Sequence, residues 1–236
     1  RMETVLRHAG LILCNSQTTA RSLRSFADER GRVAPPMAIL PPGIENSFRQ
    51  VRRTGRPRTQ NPYFVIVGTI EPRKNHILLL QLWRWFVERD GDSAPRLVIA
   101  GKRGWENAQV FATLDRCPQL RNMVLEVPDL GDAALADLMS GAAALLAPSF
   151  VEGYGMPVAE AMATGTPVIA SDIPSHKEIV GDQATLLDPC DGLGWRAAIE
   201  AHAGEYRSKS RHTSQDWSGH FQVLDELLAS AVQTAR

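Results

Sequence analysis

From residue 61 onward, apolar residues come in short runs of strand length, separated by longer segments whose apolar positions recur every three or four residues. The runs at 63–67, 96–100, 123–127, 143–147, 167–170 and 184–187 predict strands, and the segments 78–89, 133–140 and 157–164 predict helices. Strands alternating with helices argue for an α/β fold, a Rossmann-like parallel sheet with helices on both faces. Before residue 61 the pattern is less regular. Residues 1–10 read as the end of a helix and 11–14 as a strand; a polar turn follows, then a helix capped by Ser16 or Thr18. A strand at 37–40 runs into Pro41-Pro42-Gly43, where two prolines and a glycine force a turn.

Composition narrows the partners. The 236 residues carry 26 Lys plus Arg and 26 Asp plus Glu, so no global field draws the chain to nucleic acid or an anionic membrane. Any anion site must be local. With 44% hydrophobic and 22% charged residues, a sizeable core is expected. The stretch 49–60, RQVRRTGRPRTQ, holds five arginines; it reads as a solvated linker, with a patch for acidic lipid or phosphate as the alternative. Cys14, Cys117 and Cys190 are odd in number and far apart, which fits neither a disulfide framework nor metal-ligand spacing. They read as reduced, buried thiols of a cytoplasmic protein. No apolar run reaches the roughly 18 residues of a membrane span, and peripheral contact with a membrane is compatible with the pattern.

In an open parallel sheet a ligand sits beyond the carboxyl ends of the strands, so the loops there carry the chemistry. After 63–67 comes Gly68-Thr69-Ile70-Glu71-Pro72-Arg73-Lys74-Asn75-His76 and then a helix. Arg73 and Lys74 fall near the positive end of that helix, an unfavourable place for cations unless an anion lies between. A phosphate would explain them; two solvent-facing basic residues is the alternative. After 96–100 comes a second basic, glycine-bearing loop, Gly101-Lys102-Arg103-Gly104-Trp105. The third segment is APSFVEGYGMPVAEAMATGTPVIASD, residues 147–172. There Glu152-Gly153-Tyr154-Gly155 reads as a loop, Pro157 as the first helical position and Gly165 as the stop, leaving the amides of 153–156 free for an anion. Glu160, among small apolar residues one turn into the helix, needs donors if buried, and a ribose diol would supply two. An exposed glutamate is the alternative. Glu152 would project to the cleft mouth, near a sugar, or be an ordinary loop carboxylate. The six histidines are scattered and each reads as a surface or packing residue.

The order GTIEPRKNH, IAGKRGW and SFVEGYGMPVAEAMATGTPVIASD resembles family 4 of the retaining glycosyltransferases, whose fold is GT-B. Glu152 and Glu160, seven residues apart, resemble its E-x7-E motif, and LILCNSQTTARSL and LPPGIE resemble its approach to the interdomain hinge. The resemblance implies a nucleotide-sugar donor site. Arg73 and Lys74 would bind the diphosphate and neutralise charge growing on the leaving group. Glu160 would hold the ribose hydroxyls and Glu152 would lie beside the sugar, so Glu152, Arg73 and Lys74 form the expected catalytic set. Gly153, Tyr154 and Gly155, continuing into Met156 and Pro157, would contact sugar and phosphate. Gly68, Thr69 and Lys102 belong to the donor loops, and 127–135, with Val127 and Leu130, matches the region that edges the base. Asp132 reads as a structural N-cap. Glu178 stands where the family usually has a glutamate, with Lys177 in place of the commoner proline, and has no assigned role. The implied chemistry breaks the anomeric C–O bond without a cofactor or a metal, and no histidine cluster or aspartate pair with ligand spacing is present.

The same resemblance divides the chain. Residues 1–45 are expected to end an N-terminal acceptor domain and its hinge, 46–60 to be the basic linker, and 61–215 the nucleotide-sugar domain. The helix in 216–236 is expected to cross back towards the N-terminal domain. Most of that domain lies outside the sequence, so the donor site is expected half open and transfer by this piece weak. GTIEPRKN and AGKRGW are most similar to bacterial mannosyltransferases that build surface polysaccharide. The expected partners are therefore a nucleoside-diphosphate sugar, GDP-mannose first and a UDP-sugar second, and a glycan or lipid-linked acceptor, with no nucleic acid. The expected place is the cytoplasm, at the inner face of the plasma membrane. A GT-B-type sugar-nucleotide epimerase and a non-catalytic donor-binding module are the alternatives. A dinucleotide oxidoreductase is disfavoured, because no G-x-G-x-x-G follows the first regular strand.

Overall fold

The computed structural model describes residues 1–51, 61–204 and 215–234. The chain opens with α1 (Met2–His8), β1 (Ile12–Cys14), α2 (Gln17–Asp28), β2 (Met37–Ile39) and α3 (Asn46–Gln50). β1 and β2 pair in parallel as a small sheet. The cap of α2 is Ser16, whose side chain accepts the Thr19 amide.

The main sheet follows, with β3 (Tyr63–Val67), β4 (Arg96–Ala100), β5 (Val124–Val127), β6 (Leu145–Ala147), β7 (Val168–Ser171) and β8 (Thr185–Leu187). Its six strands are all parallel, in the order β5-β4-β3-β6-β7-β8. β3 and β4 occupy the residues their apolar runs predict. The other four start one or two residues later than expected, and Pro167, having no N–H for the ladder, lies just outside β7.

Helices cover both faces. α4 (His76–Asp90), α5 (Ala108–Arg116) and α9 (Gly192–Gly204) lie on one side, where Trp83, Phe86, Val110, Trp195 and Ile199 pack on Phe64, Ile66, Leu97 and Ile99. α6 (Asp132–Gly141), α7 (Met156–Thr164), α8 (Pro174–Val180) and α3 lie on the other, where Phe48, Met139, Val158 and Met162 pack on Val65, Val98 and Leu145. Burial of both faces explains why the strands read as unbroken apolar runs rather than alternating ones.

Several expectations are corrected. Asn46–Gln50, read as the start of a linker, is a helix whose Phe48 is 1% exposed against α6 and α7; residues 52–60 lie outside the described ones. The large aromatic anchor outweighs the charged neighbours. Asp132 is not the cap of α6 but its first residue, after Gly131, and Pro157 is the second residue of α7, not the first. Cys14 is buried, but Cys117 is intermediate and Cys190 exposed; all three are free. α10 (Trp217–Thr234) begins on the 41–49 segment: Ile44 bridges Asp216 in parallel, the Arg49 guanidinium donates to Asp216 at 2.6 Å, and His220 Nδ1 meets the Pro41 carbonyl at 2.8 Å. Among the described residues, no helix is long and apolar enough to cross a membrane.

Candidate functional site

β3 has β4 on one side and β6 on the other, and the chain winds outward in opposite directions from that point. The loops after β3 and β6 therefore diverge and leave a crevice at the strands' carboxyl ends. The cleft there is walled by Lys74, Ser149, Glu152, Gly155, Pro157 and His176. The loop after β3 ends in Asn75, whose left-handed backbone (φ 56°) turns the chain into α4 and brings Arg73 and Lys74 over the crevice. The two loops are tied by the Phe150 amide donating to the Arg73 carbonyl at 2.9 Å.

Glu152 is the hub. Lys74 Nζ reaches its Oε1 at 2.7 Å, Ser149 Oγ donates to the same oxygen at 2.8 Å, and Arg73 Nη1 donates to Oε2. Arg73 also pairs with the buried Glu71. Burial opposes ionisation of Glu152, but Lys74, Ser149 and Arg73 together hold its carboxyl below the ordinary value. With Glu71 included, two cations face two carboxylates, so the cluster is balanced and preorganised.

The turn into α7 supplies donors. Gly155 takes φ 105°, a conformation open to glycine and costly for other residues. Its carbonyl accepts the Val158 and Ala159 amides, and Pro157 has no N–H. The amides of Gly153, Tyr154, Gly155 and Met156 donate to no group among the described residues, which leaves four successive donors at a helix N-terminus. One turn on, Glu160 is half-buried and has no hydrogen-bond partner among the described residues. Burial pushes its carboxyl up to about 7; Asp132 adds to the rise and Lys74 opposes it.

The remaining expected residues lie around this centre. Gly68 abuts the Lys74 side chain, and Thr69 lies against Gly104 of the neighbouring loop. Lys102 is exposed and paired with Asp129 at the edge of the site. Val127 and Leu130, with Tyr154 and Met156, pack partly buried on the core. Among the described residues no three His, Cys, Asp or Glu side chains converge as a metal site.

Four residues hold places that the sequence does not reveal. His176 walls the cleft although every histidine reads as packing or surface. Ser16 and Thr19 both donate to the Gly153 carbonyl, and Glu178 accepts the Gln17 and Thr18 amides at 2.8 and 2.7 Å. Glu178 thus caps α2 and joins it to α8, a role invisible across 161 residues of sequence. The signal for His176 is its place in the first turn of the helix that follows a strand at the ligand-facing edge.

The family model for glycosyl transferases group 1 matches residues 47–201, which holds the cleft and both loops. The chain belongs to that family. Within group 1 it is similar to O-antigen chain mannosyltransferase B of Escherichia coli, 35% identical over 59% of this chain and 35% of the relative. It is also similar to the serotype-specific mannosyltransferase WbdA of E. coli, 30% identical over 78% of this chain and 24% of the relative. The chain thus spans well under half the length of these relatives. Among solved structures, the fold is similar to that of sucrose-phosphate synthase from Thermosynechococcus elongatus, TM-score 0.76 at 19% identity over 98% of this chain and 61% of that one. Anabaena Alr3699/HepE in complex with UDP-glucose gives TM-score 0.76 at 16% identity, over 97% of this chain and 66% of that one. These are GT-B-like folds, and the group 1 chain shares their parallel-sheet layer.

Proposed function

We propose that the cleft binds a nucleoside-diphosphate sugar and that the protein transfers the sugar, with retention, to a growing glycan such as a bacterial surface polysaccharide. The observation that carries this reading is the convergence of Arg73, Lys74 and four free amides opposite an unpartnered carboxylate, Glu160. A diphosphate fits the cations and amides, and a ribose diol fits Glu160. As the anomeric C–O bond breaks, negative charge grows on the diphosphate; Arg73 and Lys74, already held in place by Glu152, stabilise it without reorganising. Glu152 lies at the sugar end. GDP-mannose is the first donor to test, because the relatives named above are mannosyltransferases. The acceptor is assigned to a region beyond the nucleotide-sugar domain, with residues 1–45 as its end and α10 as the crossing helix.

Calorimetric titration with GDP, UDP, GDP-mannose and UDP-glucose tests the reading. One nucleotide should bind saturably, and Glu160→Ala and the Arg73→Ala, Lys74→Ala double variant should abolish it. Binding that survives both variants sinks the assignment. Turnover with and without a glycan acceptor separates transfer from epimerisation and from donor binding alone.

A further inference from the structure

We propose that His176 reads the donor sugar, its Nε2 accepting a hydrogen bond from a sugar hydroxyl in the cleft; this rests on the donor-site reading above. His176 is the third residue of α8, after Pro174 and Ser175, in the first helical turn beyond β7, and is 1% exposed. One ring nitrogen is spoken for: Nδ1 lies 3.0 Å from the Ser171 carbonyl, and since a carbonyl only accepts, Nδ1 carries the proton and donates. In the neutral ring that leaves Nε2 as an acceptor with no proton. No group among the described residues donates to it.

The geometry turns that acceptor towards the ligand. His176 walls the cleft together with Lys74, Ser149, Glu152 and Gly155. A side chain on Gly155 would stand 3.2 Å from His176 Cδ2 and 3.5 Å from Nε2, so this edge of the ring faces the glycine turn and not the core. Glu152 and Lys74 are close enough for their charges to act on the imidazole. Burial is the larger influence and holds the ring in its neutral form. The rest of the site is rich in donors: two cations and four amides, suited to phosphate oxygens. A sugar brings hydroxyl protons, and these need acceptors. Glu152 is already occupied by Lys74, Arg73 and Ser149, and Glu160 is given to the ribose, so for the sugar the cleft still offers Nε2, which has no donor among the described residues. An acceptor fixed by its own backbone bond also discriminates between epimers, since a hydroxyl of the opposite configuration points elsewhere.

The test compares nucleotide with nucleotide sugar. For wild type and His176→Leu, affinities for GDP and GDP-mannose, and for UDP and UDP-glucose, are measured calorimetrically. Removing one acceptor should leave nucleoside-diphosphate affinity within about twofold and weaken the nucleotide sugar about tenfold. Equal losses for both ligands, or no loss for the sugar, in a folded variant overturn the proposal. If His176→Leu does not fold, imidazole 15N spectra of the wild-type chain decide. The Nε2 resonance of His176 should be that of an unprotonated nitrogen and should move with the nucleotide sugar but not with the nucleotide; an unmoved resonance overturns the assignment. Failure of the wild type to bind any nucleotide refutes the donor-site reading itself, and this inference with it.

Discussion

Glu160→Gln should make the unliganded protein more stable at neutral and alkaline pH while weakening its ligand. The carboxylate is half-buried without a hydrogen-bond partner among the described residues, and its pKa is raised from 4.5 to about 7 by burial and, secondarily, by Asp132. For a carboxyl raised in the folded state, the unfolded chain ionises first. The group's contribution is intact below pH 4.5, declines as pH rises and is lost above about 7. At about 1.4 kcal/mol per pH unit the loss is about 2–3 kcal/mol, allowing for partial solvent access. Glutamine has nearly the same shape and does not titrate. Its advantage should be near zero at pH 4.5 and about 2–3 kcal/mol at pH 8, a rise in Tm of about 4–12 °C for a chain of this size. Thermal or urea melts of both proteins at pH 5 and pH 8 measure it. A difference in stability that is the same at both pH values would refute the argument, because it would mean that Glu160 is already satisfied or already solvated. Nucleotide affinity should move the other way, falling about tenfold or more with the loss of a charged acceptor.

Other perturbations probe the supports of the site. Lys74→Met removes one of the two cations paired with the largely buried Glu152 and should cost about 2 kcal/mol in urea unfolding. Wild-type Glu152, depressed in the folded state, contributes stability above pH 4.5 that is lost as pH falls; in Lys74→Met that acid-sensitive part should shrink. Gly101→Ala should destabilise by about 1–3 kcal/mol, because the added methyl would overlap the Gly68 carbonyl and push the first donor loop out of place. Ser16→Ala with Glu178→Gln uncaps α2, at about 1–2 kcal/mol, and should speed hydrogen exchange at the Gln17, Thr18 and Thr19 amides selectively.

What was legible in the sequence was what local pattern controls. β3 and β4 are runs whose every inner residue is buried, and their limits follow from hydrophobicity alone. The turn into α7 was legible because Gly155, Pro157 and Gly165 carry backbone preferences of their own. α3 was not: five residues with one large apolar side chain give no period to detect, and what holds it is Phe48 meeting α6 and α7 and Arg49 pairing with Asp216. Asp132 resembled a cap because aspartate suits both the cap and the first turn; Gly131 takes the cap, and the carboxylate stands one residue further in. Arg73, Lys74 and Glu160 could be singled out from charge placed against expectation. That Glu152 is shared by Arg73, Lys74 and Ser149, and that His176 turns an edge to the same cleft, depends on loops brought together by strand order.

The clasp between residues 41–49 and 215–220 has a mechanical consequence. The two segments run parallel, joined by the Ile44 amide to the Gln215 carbonyl, Arg49 to Asp216 and His220 to Pro41. Tension applied through the chain upstream of residue 41 and downstream of residue 220 meets there and loads these bonds together in shear. The six-stranded sheet lies in the loop of chain between the two segments, so the clasp takes load that would otherwise run through it, sharing it with the bonds from α2 to Glu178 and Gly153. A pull from the upstream flank therefore divides between the clasp and the α2 contacts, and only the second route ends at the cleft loop, on Gly153.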